Sequence, residues 1–319
     1  MIRKVFGTGG IGTGLLFELS ANQPLSRNES RLGFLTDYKD YCKCHIILHY
    51  ISALTKGINV YAIGVVGRDT QGEELLSEME SAGISTRFVE MTEKARTLFS
   101  VCFQYPDGTG GNITSSNSAC SLVTPEWIDQ CAMDIDENSL VLAVPEVPVN
   151  SRIRLLEIGK ERNAFTVSSF LGGEATAFEK AGGFQLSDLL SINIDEAKAV
   201  SDNLETAMNK IADLNHEIKL IVTAGENGSY VFENRALTHI PCIREKIVSS
   251  AGAGDALLGG AIAGLASGKS FIEAVEYGVV IARFAVLSKN TIANEVTVES
   301  VNQYIGNNSC PIAGSYIRG

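Results

Sequence analysis

From residue 140 onward, short apolar runs alternate with helix-spaced patterns, and this alternation restricts the fold more than any other feature of the sequence. Residues 140–144, 164–167, 189–192 and 220–223 read as buried strands. Residues 152–160 and 204–214 read as the helices between them. Strands that are apolar on both faces and separated by helices pair in parallel and are covered on each side. Earlier in the chain, residues 4–7 form a first strand. Residues 41–56 carry apolar side chains at helical spacing (Ile47, Tyr50, Ile51, Leu54). Residues 59–66 form another apolar strand, followed by a helix ending near Ala82. The polar strands around 12–36 and 84–116 suit a layered core poorly. They fit a small β lid, with lid strands within about 12–36 and 96–116 and a tight turn at Tyr105-Pro106-Asp107-Gly108. One domain over residues 1–305 and a loose tail over 306–319 are expected.

The run Ser249-Ser250-Ala251-Gly252-Ala253-Gly254-Asp255 lies between a β-like segment (244–248) and a small-residue helix (256–267). Small residues at a helix start leave backbone N–H groups uncovered, at the positive end of the helix dipole, where anions bind. An aspartate there would repel a phosphate unless its task is to take a proton from a hydroxyl beside it. Gly252, Ala253, Gly254 and Asp255 therefore read as an anion hole plus a general base, suited to phosphoryl transfer to an alcohol. A plain glycine-rich turn before a helix is the other reading.

Two further motifs follow apolar strands. Asn193-Ile194-Asp195-Glu196 opens a helix, and its hard oxygens suit Mg²⁺; a simple helix cap accounts for it equally. Thr223-Ala224-Gly225-Glu226-Asn227-Gly228 can bring backbone and a hydroxyl to a phosphate chain, or can be a hairpin turn. Gly67, Asp69 and Gly72 form a turn before a helix.

With these motifs in this order, the chain resembles the ribokinase-like sugar kinases, the PfkB carbohydrate kinases, over roughly residues 1–305. The resemblance implies a ribokinase-like three-layer α/β/α sandwich with a mostly parallel central sheet and a small β lid. It implies an ATP-dependent carbohydrate kinase acting on a sugar or sugar-like acceptor, with ATP and Mg as cofactors. Asp255 would be the base, with Gly252, Ala253 and Gly254 around the transferring phosphoryl. Thr223, Gly225 and Gly228 would hold nucleotide phosphates, and Asn193 and Glu196 would position Mg²⁺ through water. A nucleoside kinase of the same family and a catalytically degenerate ligand-binding relative are the alternatives.

The acceptor half departs from the family pattern. Gly14 stands where an Asp after strand 1 usually holds sugar hydroxyls. Lys43-Cys44 and Leu48 stand where Gly-Gly and Asn are usual, and the stretch 167–170 replaces a further Asp. Ser249 replaces the leading Asp of the C-terminal motif, which implies weak or absent activation by K⁺. Either the acceptor is no simple pentose or hexose, or activity is lost. Cys42, Cys44, His45 and His49 can be read as metal ligands or as pocket-lining and packing residues, and packing is favoured because Cys42 and Cys44 would lie on different helix faces.

Of 319 residues, 45% are hydrophobic and 20% charged, enough for a sizeable core. A net charge of −11 argues against nucleic acid as partner. No apolar run approaches the roughly 20 residues needed to span a bilayer. The N-terminus enters a strand pattern with no signal-peptide core. An odd seven cysteines suggest reduced thiols and a cytoplasmic location. A projecting lid sheet leaves edges and one apolar face to be covered, so a homodimer meeting lid to lid is expected.

Overall fold

The computed structural model describes residues 1–36, 39–107 and 109–308. In chain order the strands are β1 (Lys4–Thr8), β2 (Gly12–Leu19), β3 (Gly33–Leu35), β4 (Asp40–Tyr41), β5 (Asn59–Gly67), β6 (Ile84–Thr92), β7 (Leu98–Gln104), β8 (Gly110–Thr114), β9 (Ser139–Ala143), β10 (Phe165–Ser168), β11 (Leu189–Asn193), β12 (Lys219–Thr223), β13 (Ser229–Glu233) and β14 (Ala236–Ile240). The helices are α1 (Lys43–Leu54), α2 (Thr70–Ser81), α3 (Pro125–Ile128), α4 (Val149–Glu161), α5 (Ala175–Lys180), α6 (Ile194–Lys198), α7 (Leu204–Leu214), α8 (Ala253–Ala266), α9 (Phe271–Leu287) and α10 (Val298–Asn308).

Nine strands form the main sheet in the order β14-β13-β12-β11-β10-β9-β1-β5-β6. Every pairing from β12 to β6 is parallel; only the β12–β13–β14 meander is antiparallel. Because side chains alternate across a strand, β9 sends Val141 and Ala143 to one face and Leu140 and Leu142 to the other. The first face packs against α4 and α7 through Leu155, Leu156, Met208 and Ile211. The second packs against α1, α2, α8 and α9 through Ile47, Leu48, Leu75, Leu258 and Val275. Each such buried Leu, Ile or Val contributes about 1.5–3 kcal/mol. Helices on both faces of a mostly parallel sheet give three α/β/α layers.

A second sheet, β3-β2-β7-β8 with β4 beside β2, is the lid. β2 pairs parallel with β7, and β7 antiparallel with β8. In register, Leu15, Val101 and Ile113 share one face, while Gly14, Ser100 and Thr114 share the other. The polar face turns toward the main sheet and the apolar face turns away.

Four expectations need correction. Residues 84–92 are β6, an edge of the main sheet, because parallel pairing with β5 recruits them despite their polar pattern. Residues 244–248 are not a strand; the segment lies along α9, where Val248 N–H donates to the Val286 carbonyl (2.8 Å). The helix expected from 256 begins at Ala253. Helix α10 carries past residue 305 to Asn308, and the remainder of the expected tail lies outside the described residues, as does Gly108 of the lid turn.

Candidate active site

In a parallel sheet the carboxyl ends of the strands share one edge, and ligands bind in the crevice beyond them. Here that edge presents Thr8-Gly9-Gly10 after β1, Glu146 after β9, Ser169 after β10, Asn193 at the end of β11 and Thr223 at the end of β12. Helix α8 enters the same edge from the irregular segment before it. Its cap is Gly252, whose left-handed φ of 75° only glycine adopts cheaply, and where a Cβ would stand 2.9 Å from the Thr291 carbonyl oxygen. Asp255 falls on the first turn of α8. The backbone N–H groups of that turn have no partner within the helix, and its residues border the crevice. Ala253 N–H is partly used, in a long 3.4 Å bond to the Ser250 carbonyl.

Three cavities run in series along the crevice. The first, about 400 Å³, is walled by the lid (Leu16, Ser100, Cys102, Asn112), by Asp40 and Lys43, and by Glu146 and Asp255. The second, about 200 Å³, lies among Lys43, Ser169, Asn193, Glu196, Thr223 and Asp255. The third, about 790 Å³, runs from Thr223 over Gly225 and Gly228 to Leu257 and Val279. Asp255, Lys43 and Gly252 belong to both the first and the second. Thr223 and Gly254 belong to both the second and the third. All the residues expected from the three motifs therefore border one continuous cleft.

Asn193 and Glu196 do what a cap does. Asn193 Oδ1 accepts from the N–H groups of Asp195 (2.9 Å) and Glu196 (2.8 Å), and Glu196 Oε2 accepts from Asn193 N–H (2.7 Å). Both also border the middle cavity. Burial pushes the Glu196 carboxyl upward, against the pull of the Lys43 ammonium and the Asn193 N–H. Thr223 and Ser229 face each other across the turn, so a hairpin follows the Thr223 loop as well.

Three charged groups of the cleft were not singled out from the sequence. Lys43 Nζ stands 3.0 Å from Asp255 Oδ1. Burial alone would favour loss of the Lys43 proton, but Asp255, Glu196 and Glu146 outweigh it and the net shift is upward. Glu146 is half-buried, its Oε2 is enclosed and lacks a hydrogen-bond partner, and burial pushes its carboxyl up to about 7. It has a positive φ of 77°, and a Cβ on Gly10 would stand 2.1 Å from Oε2, so two unusual backbone choices accommodate it. The rule that found Asn193 and Thr223, a polar residue just past a buried strand, would also have found Glu146. Asp40, on β4, is the third.

Gly14 lies in β2 opposite Asp40. Ser249 is buried and its Oγ accepts from Ala251 N–H (3.3 Å). The Cys42, Cys44, His45 and His49 set does not converge. Cys42 borders the first cavity, and Cys44 packs beneath Gly9. His45 and His49 open on a separate cavity with Glu78 and Asn290. Among the described residues no three potential metal ligands cluster, and no helix is long and apolar enough to cross a membrane.

Comparison with known proteins bears on this cleft. A model of the pfkB family carbohydrate kinases matches residues 49–297. The deoxyribokinase of Salmonella typhimurium is 25% identical over 274 residues, covering 81% of this chain and 85% of the relative. Ribokinase from Giardia lamblia superposes with a TM-score of 0.83 at 18% identity, over 96% of this chain and 99% of that one. A candidate ribokinase II from E. coli, in complex with ATP and Mg²⁺, superposes with a TM-score of 0.78 at 17% identity, over 96% and 100%.

Proposed function

The chain belongs to the pfkB family of carbohydrate kinases, and on that footing we propose that it transfers the γ-phosphoryl group of ATP to a hydroxyl of a sugar or sugar-like acceptor, with Asp255 as the base. The observation that carries this reading is the position of Asp255 where the lid-walled cavity meets the Asn193–Thr223 cavity. A group there reaches the acceptor and the transferring phosphoryl together.

The acceptor occupies the first cavity, with one hydroxyl directed at Asp255. Asp255 takes the hydroxyl proton as the oxygen attacks the γ-phosphorus. The bond from that phosphorus to the β–γ bridging oxygen breaks, and ADP leaves along the third cavity. Backbone N–H groups at Gly252, Ala253 and Gly254 face the phosphoryl oxygens, most directly at Gly254 because Ala253 shares its N–H with Ser250. Thr223 Oγ1 and the turn at Gly225 and Gly228 hold the nucleotide phosphates, and the apolar wall of Leu257 and Val279 takes the base. Among the described residues, Lys43 adds the one ammonium that borders both reacting cavities.

The donor set suits magnesium through water: two carboxylates, Glu196 and Asp255, border the cavity expected to hold the phosphates. Asn193 has committed Oδ1 to the cap, so it holds Glu196 in place and offers its Nδ2 to water or phosphate. Bound there, Mg²⁺ would neutralise phosphoryl charge.

We extend the proposal to assembly. Leu15, Leu35, Val101 and Ile113 crowd the outer lid face, with Ile113 74% exposed and Leu35 50%. A second copy meeting lid to lid covers this face.

The test of the kinase reading is ADP formation from Mg·ATP across a panel of sugars and nucleosides. Acceptor-dependent ADP release is expected. Ligand-induced melting shifts without any turnover would instead identify a binding relative and overturn it.

A further inference from the structure

The turn after β12 folds back on itself. Asn227 N–H donates to the Ala224 carbonyl (3.1 Å), Gly228 N–H to the Gly225 carbonyl (3.0 Å), and Ala224 N–H to the Gly228 carbonyl (2.8 Å). The two carbonyls left over, those of Glu226 and Asn227, are engaged from outside the turn. Cys242 Sγ donates to the Glu226 carbonyl at 3.0 Å. His239 Nε2 lies 2.6 Å from the Asn227 carbonyl oxygen. A carbonyl only accepts, so Nε2 carries the proton. The imidazole rests on Tyr230, its partner across β13 and β14, with ring centroids 5.0 Å apart. The two segments pack closely here: Gly228 has a φ of 81°, and a Cβ on it would stand 2.3 Å from the Ile240 carbonyl oxygen.

The peptide units Glu226–Asn227 and Asn227–Gly228 are therefore each held at both ends, the N–H within the turn and the C=O by Cys242 or His239. Two N–H groups remain. Among the described residues, those of Gly225 and Glu226 have no hydrogen-bond partner. In a trans peptide the N–H points opposite to the C=O. The Ala224 and Gly225 carbonyls turn inward to Asn227 and Gly228, so the N–H groups joined to them, on Gly225 and Glu226, turn outward. Both residues border the third cavity, beside Thr223. Successive free N–H groups attract an anion, whereas a carbonyl rotated into the same place would repel it.

We propose that His239 and Cys242 are positioning residues for the nucleotide phosphates: by holding the Glu226 and Asn227 carbonyls back, they keep the Gly225 and Glu226 N–H groups turned toward the phosphate chain. This rests on the kinase reading only for the occupant of the third cavity. The Sγ and Nε2 protons are engaged by the turn, so each side chain acts through the backbone. Its loss falls on nucleotide affinity and not on the acceptor.

The test is calorimetric titration of Mg·ADP, without acceptor, into the full chain and its variants. Cys242→Ala removes the thiol donor. His239→Phe keeps a ring against Tyr230 but removes the Nε2 proton. Each should weaken Mg·ADP binding about 2- to 10-fold, as loss of one neutral hydrogen bond does. Cys242→Ser differs from Cys242→Ala by a single hydroxyl and restores a donor, so it should recover most of the loss; a role in packing alone would leave the two Cys242 variants alike. In the kinase assay, KM for ATP should rise by the same factor while kcat at saturating ATP and KM for the acceptor hold. The proposal is overturned by unchanged Mg·ADP affinity in either Cys242→Ala or His239→Phe, by Cys242→Ser binding no better than Cys242→Ala, or by a wild type that does not bind Mg·ADP. The expected calorimetric pattern without acceptor-dependent turnover would count against the kinase reading while leaving the roles of His239 and Cys242 standing.

Discussion

Lys43 Nζ and Asp255 Oδ1 are 3.0 Å apart where the first two cavities of the cleft meet. The pair has two consequences. The ammonium stands in a crowded acidic pocket, where Glu146 and Glu196 are also near enough to act on it. It also borders the same two cavities as Asp255, so in the proposed reaction it stands beside the incoming hydroxyl. On the proposed mechanism Lys43 would shift toward the incoming phosphoryl oxygens as Asp255 takes up the hydroxyl.

Asp255→Asn should lower kcat by about 10² or more while leaving ATP affinity near that of wild type. Lys43→Met should also lower kcat, and the double variant should cost less than the two single losses added, because the residues act as a unit. Steady-state kinetics of the three variants measures this. Turnover of Asp255→Asn close to that of wild type would remove Asp255 from the role of base.

Magnesium dependence should trace to Glu196. Glu196→Gln should raise the Mg²⁺ concentration required for half-maximal activity several-fold, and excess EDTA should abolish activity in both proteins. A titration of activity against free Mg²⁺ reads the shift directly. Full activity in EDTA would contradict it.

Glu146 should couple stability to pH. Burial raises its folded-state pKa from 4.5 to about 7, so the folded chain holds a proton that the unfolded chain releases. The stability tied to that proton is complete below about 4.5 and is lost as pH rises through about 7. His45 and His49 act in the opposite sense. Burial pushes them down to about 3 and about 4, so stability falls as acid drives protons onto the unfolded chain below about 6.5. The wild-type curve mixes these effects, but a comparison with Glu146→Gln separates them. The melting temperature of Glu146→Gln relative to wild type should climb by on the order of 5 °C between pH 4.5 and 8. A difference that stays flat with pH would refute the assignment.

The outer lid face should be an interface. Light scattering at micromolar concentration should give twice the chain mass of 34.1 kDa. Val101→Asp and Ile113→Asp place charge on the exposed face and should each shift the mass toward the monomer without lowering the melting temperature of the core. A monomeric wild type, or a dimer indifferent to both changes, would show that the face is covered otherwise.

The layered core was legible in the sequence because its strands are apolar on both faces, as β9 is, and no surface helix mimics that pattern. β6 was not legible, since an edge strand buries only part of one face and reads like the lid. The phosphate side of the cleft was legible because backbone geometry demands glycine at positions such as Gly252. The acceptor side was hidden for the opposite reason. Asp40 and Cys102 are 62 residues apart in sequence and meet only through strand pairing. Lys43 and Asp255 meet only through the packing of α1 on α8. Contacts of that range leave no local spacing to read.

Strand β7 alternates between two tasks. Ser100 and Cys102 line the cavity, while Val101, between them, stands on the outer face. Insertion or deletion of one residue at the start of β7 would exchange these roles along the strand. Val101 would then face the cavity, Cys102 would leave Asp40, and hydroxyl and thiol groups would replace hydrocarbon on the outer face. This strand can change in composition one position at a time, but its length is constrained by the cavity on one side and by the apolar outer face on the other.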